Sequence, residues 1–150
     1  MQNVFNQEVT DQLILRIERL RPNSNPLWGK MNVAQMLAHC NVTYEMVYTD
    51  KHPEPNAFKK FILKLILKPI VTNEKPYKHN SQTAPWFKIT DARNVDTEKN
   101  RLIDHLNKTR ELGEAHFHNK ESHSFGPLTA KEWNNMFYKH LDHHLRQFGV

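Results

Sequence analysis

The chain has 150 residues, of which 38% are hydrophobic and 25% charged, a balance that is typical of a globular protein and excludes a disordered or fibrous one. Its length suits one domain, residues 1–150. The formal net charge of +5 is modest and no nucleic-acid-binding motif is present, so we interpret it as a solvated basic surface and expect no nucleic-acid partner.

Three features predict the cellular compartment. The single cysteine, Cys40, excludes an internal disulfide, and the N-terminus lacks the basic start and apolar stretch of a signal peptide. The most apolar run, residues 61–71, is interrupted by Lys64, Lys68 and Pro69 and is too short to cross a bilayer. We therefore expect a cytoplasmic protein without a transmembrane segment.

Helical periodicity begins near the N-terminus. Residues 6–20 carry apolar side chains at helical spacing, namely Val9, Leu13, Ile17 and Leu20. A loop with Pro22, Pro26, Trp28 and Gly29 follows. A second helix is predicted over residues 32–48, with an apolar stripe of Val33, Met36, Leu37, Cys40, Tyr44 and Val47.

The third predicted helix, residues 56–68, is rich in lysine. Lys60, Lys64 and Lys68 step by four and share one edge. The apolar residues that oppose this edge are Phe58, Phe61, Ile62, Leu65 and Ile66. The pattern suits a membrane-surface helix, although we prefer a lid or a dimer element with a solvated lysine edge. Pro69 should stop or kink the helix, and a loop over residues 72–94 should follow.

Two more helices are predicted in the C-terminal half. One begins at Asn94 or Asp96 and ends before Gly113. After an irregular stretch with a short extended piece at residues 116–118, the last helix begins at a capping box of Thr129 and Glu132 and runs to about residue 148.

The last helix carries the residues of chemical interest. His140 and His144 are one turn apart and share an arc with Trp133 and Phe137, a geometry in which two imidazoles can hold one metal ion. A third ligand must come from elsewhere, and His39 on the second helix is the leading candidate. His143 lies at the edge of the arc, and we expect it to face solvent. On spacing alone, core histidines hydrogen-bonded to their neighbours remain the better interpretation.

Three sequence stretches resemble the DinB-like superfamily. They are Trp-Gly-Lys-Met at 28–31 with Gln-Met-Leu-Ala-His-Cys at 35–40, His-Leu-Asp-His-His-Leu-Arg-Gln at 140–147, and Phe-Gly-Pro-Leu-Thr at 125–129 with Glu132 and Trp133. The last stretch resembles an uncharacterised branch. The resemblance implies an all-α four-helix bundle of up-down-down-up order, here with the lysine-rich segment in the crossover. It also implies a divalent metal, zinc or nickel, at His39, His140 and His144, and a homodimer.

Two functions follow from these patterns. The leading one is a metal-dependent enzyme of thiol-dependent transferase or hydrolase type, since relatives implied by the resemblance use low-molecular-weight thiols. The alternative is a non-catalytic dimeric helical-bundle module, which predicts a closed site. Gln35 or Gln147 could orient the ligands. No carboxylate shares the arc as a general base, so the catalytic residues stay unassigned, and Cys40 is better interpreted as a buried hydrophobe than as a nucleophile.

Overall fold

The computed structural model describes all residues, 1–150, and is mainly helical, as predicted. Four longer helices dominate it, and two shorter helices lie between the second and the third of these. The elements in chain order are α1 (Gln7–Arg19), α2 (Val33–Tyr48), α3 (Ala57–Ile66), α4 (Lys68–Thr72), a 3-10 turn (Pro85–Phe87), α5 (Val95–Phe117), β1 (Lys120–Ser122), β2 (Gly126–Leu128) and α6 (Ala130–Gln147).

One hydrophobic core holds the four longer helices together. Helix α2 packs along α5, α5 also packs on α1, and α6 contacts all three. Each contributes side chains spaced three or four residues apart, because only that spacing keeps a helix face turned inward. Fully buried pairs at this spacing include Leu13 and Ile17 from α1, Met36 and Cys40 from α2, Leu102 and Leu106 from α5, and Phe137 and Leu141 from α6.

Side-chain caps define where the functional helices begin. Thr129 and Glu132 form the predicted capping box of α6, with the Thr129 hydroxyl accepting from the Glu132 amide. Asn32 and Gln35 form a second box at the start of α2. The two helices that carry the candidate ligands therefore have fixed starting points, which fixes the direction in which each histidine points.

The lysine-rich segment forms two helices rather than one. Helix α3 ends at Ile66 and α4 begins at Lys68, with Pro69 in its first turn, where a missing backbone N–H removes no helical hydrogen bond. Lys60 pairs with Glu54 at 2.6 Å and Lys68 with Glu132 at 2.9 Å, so the predicted solvated lysine edge is only partly solvated. None of the helices combines the length and the apolar character that crossing a bilayer requires.

The region after Gly113 differs from the prediction. Gly113 is non-helical, with φ 70° and ψ 174°, yet the helix resumes and continues to Phe117, whose buried ring packs 5.5 Å from those of Trp133 and Phe137. The extended piece predicted at 116–118 is therefore wrong, because burial of Phe117 extends the helix. The extended backbone comes later, as the antiparallel pair β1 and β2, so the fold is not purely α.

Candidate metal centre

Three histidines from two helices meet in the interior. His39 comes from α2, and His140 and His144 come from successive turns of α6. One ring nitrogen from each lies within 4.8 Å of the other two, and the Nε2 atoms of His39 and His140 are 2.9 Å apart. Ligand nitrogens around a tetrahedral zinc ion are about 3.3 Å apart, a separation that lies between the 2.9 Å of this pair and the 4.8 Å limit of the cluster. His39 and His144 are buried and His140 is partly buried.

The opposite ring nitrogen of each histidine has its own hydrogen-bond partner. Nδ1 of His39 lies 2.9 Å from the carbonyl oxygen of Phe87, in the 3-10 turn. Nδ1 of His140 lies 3.0 Å from Oγ1 of Thr43, and Nδ1 of His144 lies 2.8 Å from Oε1 of Gln147. These three contacts engage Nδ1 of each ring and leave Nε2 as the nitrogen available to the cluster. Metal-binding histidines are commonly held in this way by a partner on the other nitrogen.

Two of these hydrogen bonds fix a tautomer. A backbone carbonyl only accepts, so His39 must donate from Nδ1 to Phe87. The side chain of Gln147 donates from Nε2 to the Trp28 carbonyl at 2.7 Å, which leaves its Oε1 to accept from Nδ1 of His144. A neutral ring protonated at Nδ1 has its lone pair at Nε2, so both histidines present a lone pair to the centre.

The third tautomer is adjustable. The hydroxyl of Thr43 can both donate and accept. With a proton on Nε2, His140 donates to Nε2 of His39. With the proton on Nδ1, His140 donates to Thr43 and all three lone pairs converge. The cluster can therefore adopt a hydrogen-bonded state or a state with three inward lone pairs without moving a backbone atom.

The environment keeps the three rings uncharged. Burial lowers the pKa of His39, although the hydrogen bond to Phe87 opposes that effect. Burial, with the neighbouring His144 and His39, places the pKa of His140 well below its usual range. Burial also lowers the pKa of His144 to about 3, followed by the effect of His39. Neutral imidazole is the form that binds transition metals, so the donor set is ready at neutral pH.

A group of aromatic and imidazole rings lies beside the three-histidine cluster on the α6 side. The position of His143 on the helix predicts a solvent-facing side chain, but the structure shows it half-buried. The loop after α4 covers it. Its ring lies 5.1 Å from that of His144 and 5.6 Å from that of Tyr77. His79 stacks on Trp28 at 3.8 Å beside it.

Two surface hollows near the start of α6 include none of the three clustered histidines and so do not locate a substrate.

Other candidate residues have structural roles. Gln35 closes the capping box of α2, which leaves Gln147 as the glutamine that orients a ligand. Asp142 pairs with Arg16 at 2.8 Å, away from the cluster. Cys40 is fully buried with Sγ 3.8 Å from Sδ of Met36, and burial raises the pKa of its thiol, as expected for a hydrophobic filler.

Sequence reasoning missed two groups that contact the clustered histidines, Thr43 and the Phe87 carbonyl, and the Trp28 carbonyl that holds Gln147. Thr43 follows His39 by one helical turn, so its presence on the same edge was a usable signal. The carbonyl groups of Phe87 and Trp28 gave none, because every residue has a carbonyl and only the folded loops bring these two to the site.

Comparison with known proteins gives a family but no characterised relative. A family model described as "Protein of unknown function (DUF1569)" matches residues 4–149. No curated protein matches the chain, and no solved structure matches it.

Proposed function

The chain belongs to the DUF1569 family, and we propose that it binds one divalent metal ion, zinc or nickel, through Nε2 of His39, His140 and His144. The observation that carries this proposal is the set of three outward hydrogen bonds, to Phe87, Thr43 and Gln147, which turn three ring nitrogens inward. Imidazole donors suit these metals. The donor set contains no carboxylate, so it is uncharged, and its three nitrogen lone pairs suit a cation.

We further propose that the centre is catalytic. Three protein ligands leave a coordination position open, and a metal ion there supplies an activated water or thiol near neutral pH. The chain itself would orient the three rings and hold their Nδ1 protons. The resemblance to the DinB-like superfamily supports a thiol-dependent transferase or hydrolase, an up-down-down-up order of α1, α2, α5 and α6, and a homodimer. A closed centre in a non-catalytic module is the alternative outcome.

Metal content tests the site directly. Purified protein supplemented with zinc or nickel, and then freed of excess ion, should retain one ion per chain. His39→Ala and His144→Ala should abolish retention, whereas His116→Ala, which removes an exposed histidine outside the cluster, should leave it unchanged. Circular dichroism checks that each variant folds. Wild-type protein without a stoichiometric ion, or variants that bind as much as wild type, would overturn the proposal.

The open position needs a separate test. Cobalt-substituted protein should change its visible spectrum when azide or a small thiol is added, because an added ligand alters the coordination at the ion. An unchanged spectrum at full cobalt occupancy identifies a closed site and favours the non-catalytic module. A spectral change supports assaying the metal-loaded protein for hydrolysis and thiol transfer, with His144→Ala as the inactive control.

A further inference from the structure

Helix α3 has a continuous apolar surface without a partner. The exposed side chains are Phe58, Phe61, Ile62, Leu65 and Ile66, joined by Ile70 of α4, and we call this set the α3 face. Phe58 is 74% exposed and Ile66 is 66% exposed. The five α3 members span an arc of about 140° on a helical wheel. The opposite edge, with Leu63 and Leu67, packs on the core.

Such a patch marks an interaction surface. Monomers seldom leave large apolar side chains contiguous in water, since each one costs free energy there. The support beneath the face is fixed, because α4 continues from α3 and packs on α6. The buried Lys139 of α6 donates to the carbonyl oxygens of Ile70 and Asn73 at 2.7 and 2.6 Å. The α3 face is therefore carried by a segment that is fixed to α6.

Positive charge borders the α3 face on both sides. Lys59 lies just beyond Ile66 on the wheel, and Lys64 lies beyond Phe61 on the other border. Both are exposed and neither forms an ion pair, although the ammonium of Lys59 lies 4.4 Å from the centre of the Trp86 ring. Helix α3 contains no acidic residue. An apolar arc between two lysine borders is the pattern of a helix that lies in a membrane interface.

We propose that the α3 face binds the surface of a membrane that contains anionic lipids. Phe58, Phe61 and Leu65 enter the boundary between head groups and acyl chains, while Lys59 and Lys64 contact the negatively charged head groups. Apolar burial and lysine attraction act together in such binding. The proposal is independent of the histidine centre, whose residues are not on α3.

Charge distinguishes this occupant from a second copy of the chain. Every charged residue of α3 is a lysine, so two α3 faces packed together would bring lysines against lysines in either orientation, with no carboxylate of α3 between them. An anionic lipid surface neutralises the same lysines. A homodimer formed through another surface remains compatible with the proposal.

Vesicle flotation tests the inference with the full chain. The wild-type protein should float with vesicles of phosphatidylcholine containing about 30% phosphatidylserine, but not with phosphatidylcholine alone, and high salt should release it. Lys59→Gln with Lys64→Gln should lower the partition coefficient roughly 30-fold. Phe58→Ser with Phe61→Ser should lower it as well. The control, Arg19→Gln with Lys30→Gln, removes the same charge outside α3 and should bind as wild type does.

Each alternative result overturns the proposal. Equal binding to neutral vesicles excludes recognition of anionic lipid, and absence of binding to both vesicles excludes a membrane surface. If binding is absent and sedimentation shows a dimer that Phe58→Ser with Phe61→Ser converts to monomer, the face belongs to a second copy. Thermal unfolding of the phenylalanine variant and of the control should match wild type, because their substituted side chains are exposed. The lysine variant also loses the contact between Lys59 and Trp86, so its unfolding is measured to show that it remains folded at the temperature of the flotation.

Discussion

His144 and Gln147 are joined by a hydrogen bond of 2.8 Å from Nδ1 to Oε1, and the same Gln147 side chain donates to the Trp28 carbonyl at 2.7 Å. Gln147 is buried, 4% exposed, so water cannot easily replace either bond. Through this amide, the loop before α2 helps to determine which way the imidazole of His144 on α6 faces. In the proposed metal site, the orientation of His144 would thus depend on residues that do not contact the ion.

Replacement of Gln147 should therefore weaken metal binding without removing a ligand. In Gln147→Leu, Nδ1 of His144 loses its acceptor, and loss of such a partner lowers metal affinity about 10- to 100-fold. Competition with a chromogenic chelator measures the affinity. The matched control is Gln35→Leu, which breaks the capping box of α2 and should cost about 1 kcal/mol of stability while leaving the affinity near wild type. Equal metal affinities for the two variants would show that Gln147 does not support metal binding.

Substitution of Gly29 should also weaken metal binding, because it would disturb Gln147. A methyl group at this position would lie 2.5 Å from Nε2 of Gln147, and the backbone is left-handed with φ +81°. Gly29→Ala should therefore displace Gln147 and lower metal affinity, in addition to backbone strain of about 1 kcal/mol. Gly126→Ala is the control, because φ is +76° there and no atom lies within 4 Å. Strain alone should lower its melting temperature and leave the affinity unchanged.

The sequence predicts the three proposed ligands but not the groups that hold them in place. Periodicity places His140 and His144 on the inner face of α6 because burial repeats with the helical turn. The position of His39 on the second helix makes it the leading candidate for the third ligand, the family resemblance implies the same residue, and the structure brings it to the other two. The carbonyl of Phe87 lies 48 positions from His39, and no local pattern predicts such a contact. Likewise, spacing predicted an amphipathic helix at 56–68, but only tertiary contacts show that its apolar face points outward.

Thr43 should tune the affinity through His140. Thr43→Val keeps the shape of the side chain but removes the hydroxyl 3.0 Å from Nδ1 of His140, so affinity should fall roughly tenfold. Thr43→Ser restores the hydroxyl and should recover most of the loss. Thr109→Val provides a control, since its buried hydroxyl contacts Tyr48 at 2.7 Å and lies outside the centre. Thr109→Val should lose stability and keep its metal affinity. If Thr109→Val loses metal affinity and Thr43→Val keeps it, the role assigned to Thr43 is wrong.

Glu45 should make the stability of the protein sensitive to acid. Burial alone would raise its pKa, but hydrogen bonds from His52, Lys51 and Arg101 outweigh burial and lower the pKa from 4.5 to about 2. A carboxylate whose pKa is lower in the folded state stabilises the protein above the pKa of the unfolded chain. The contribution, on the order of 2 kcal/mol, is complete above pH 4.5 and disappears as the pH falls towards 2.

Urea unfolding of Glu45→Gln across that interval measures this contribution. At pH 6 the variant should be less stable than wild type, and the difference between the two should shrink as the pH falls from 4.5 towards 2, where Glu45 itself is protonated. Glu18→Gln is the control, because the side chain of Glu18 is exposed and forms no ion pair, so its difference from wild type should be small at every pH. A gap between Glu45→Gln and wild type that stays constant with pH would show that Glu45 acts through packing rather than through its charge.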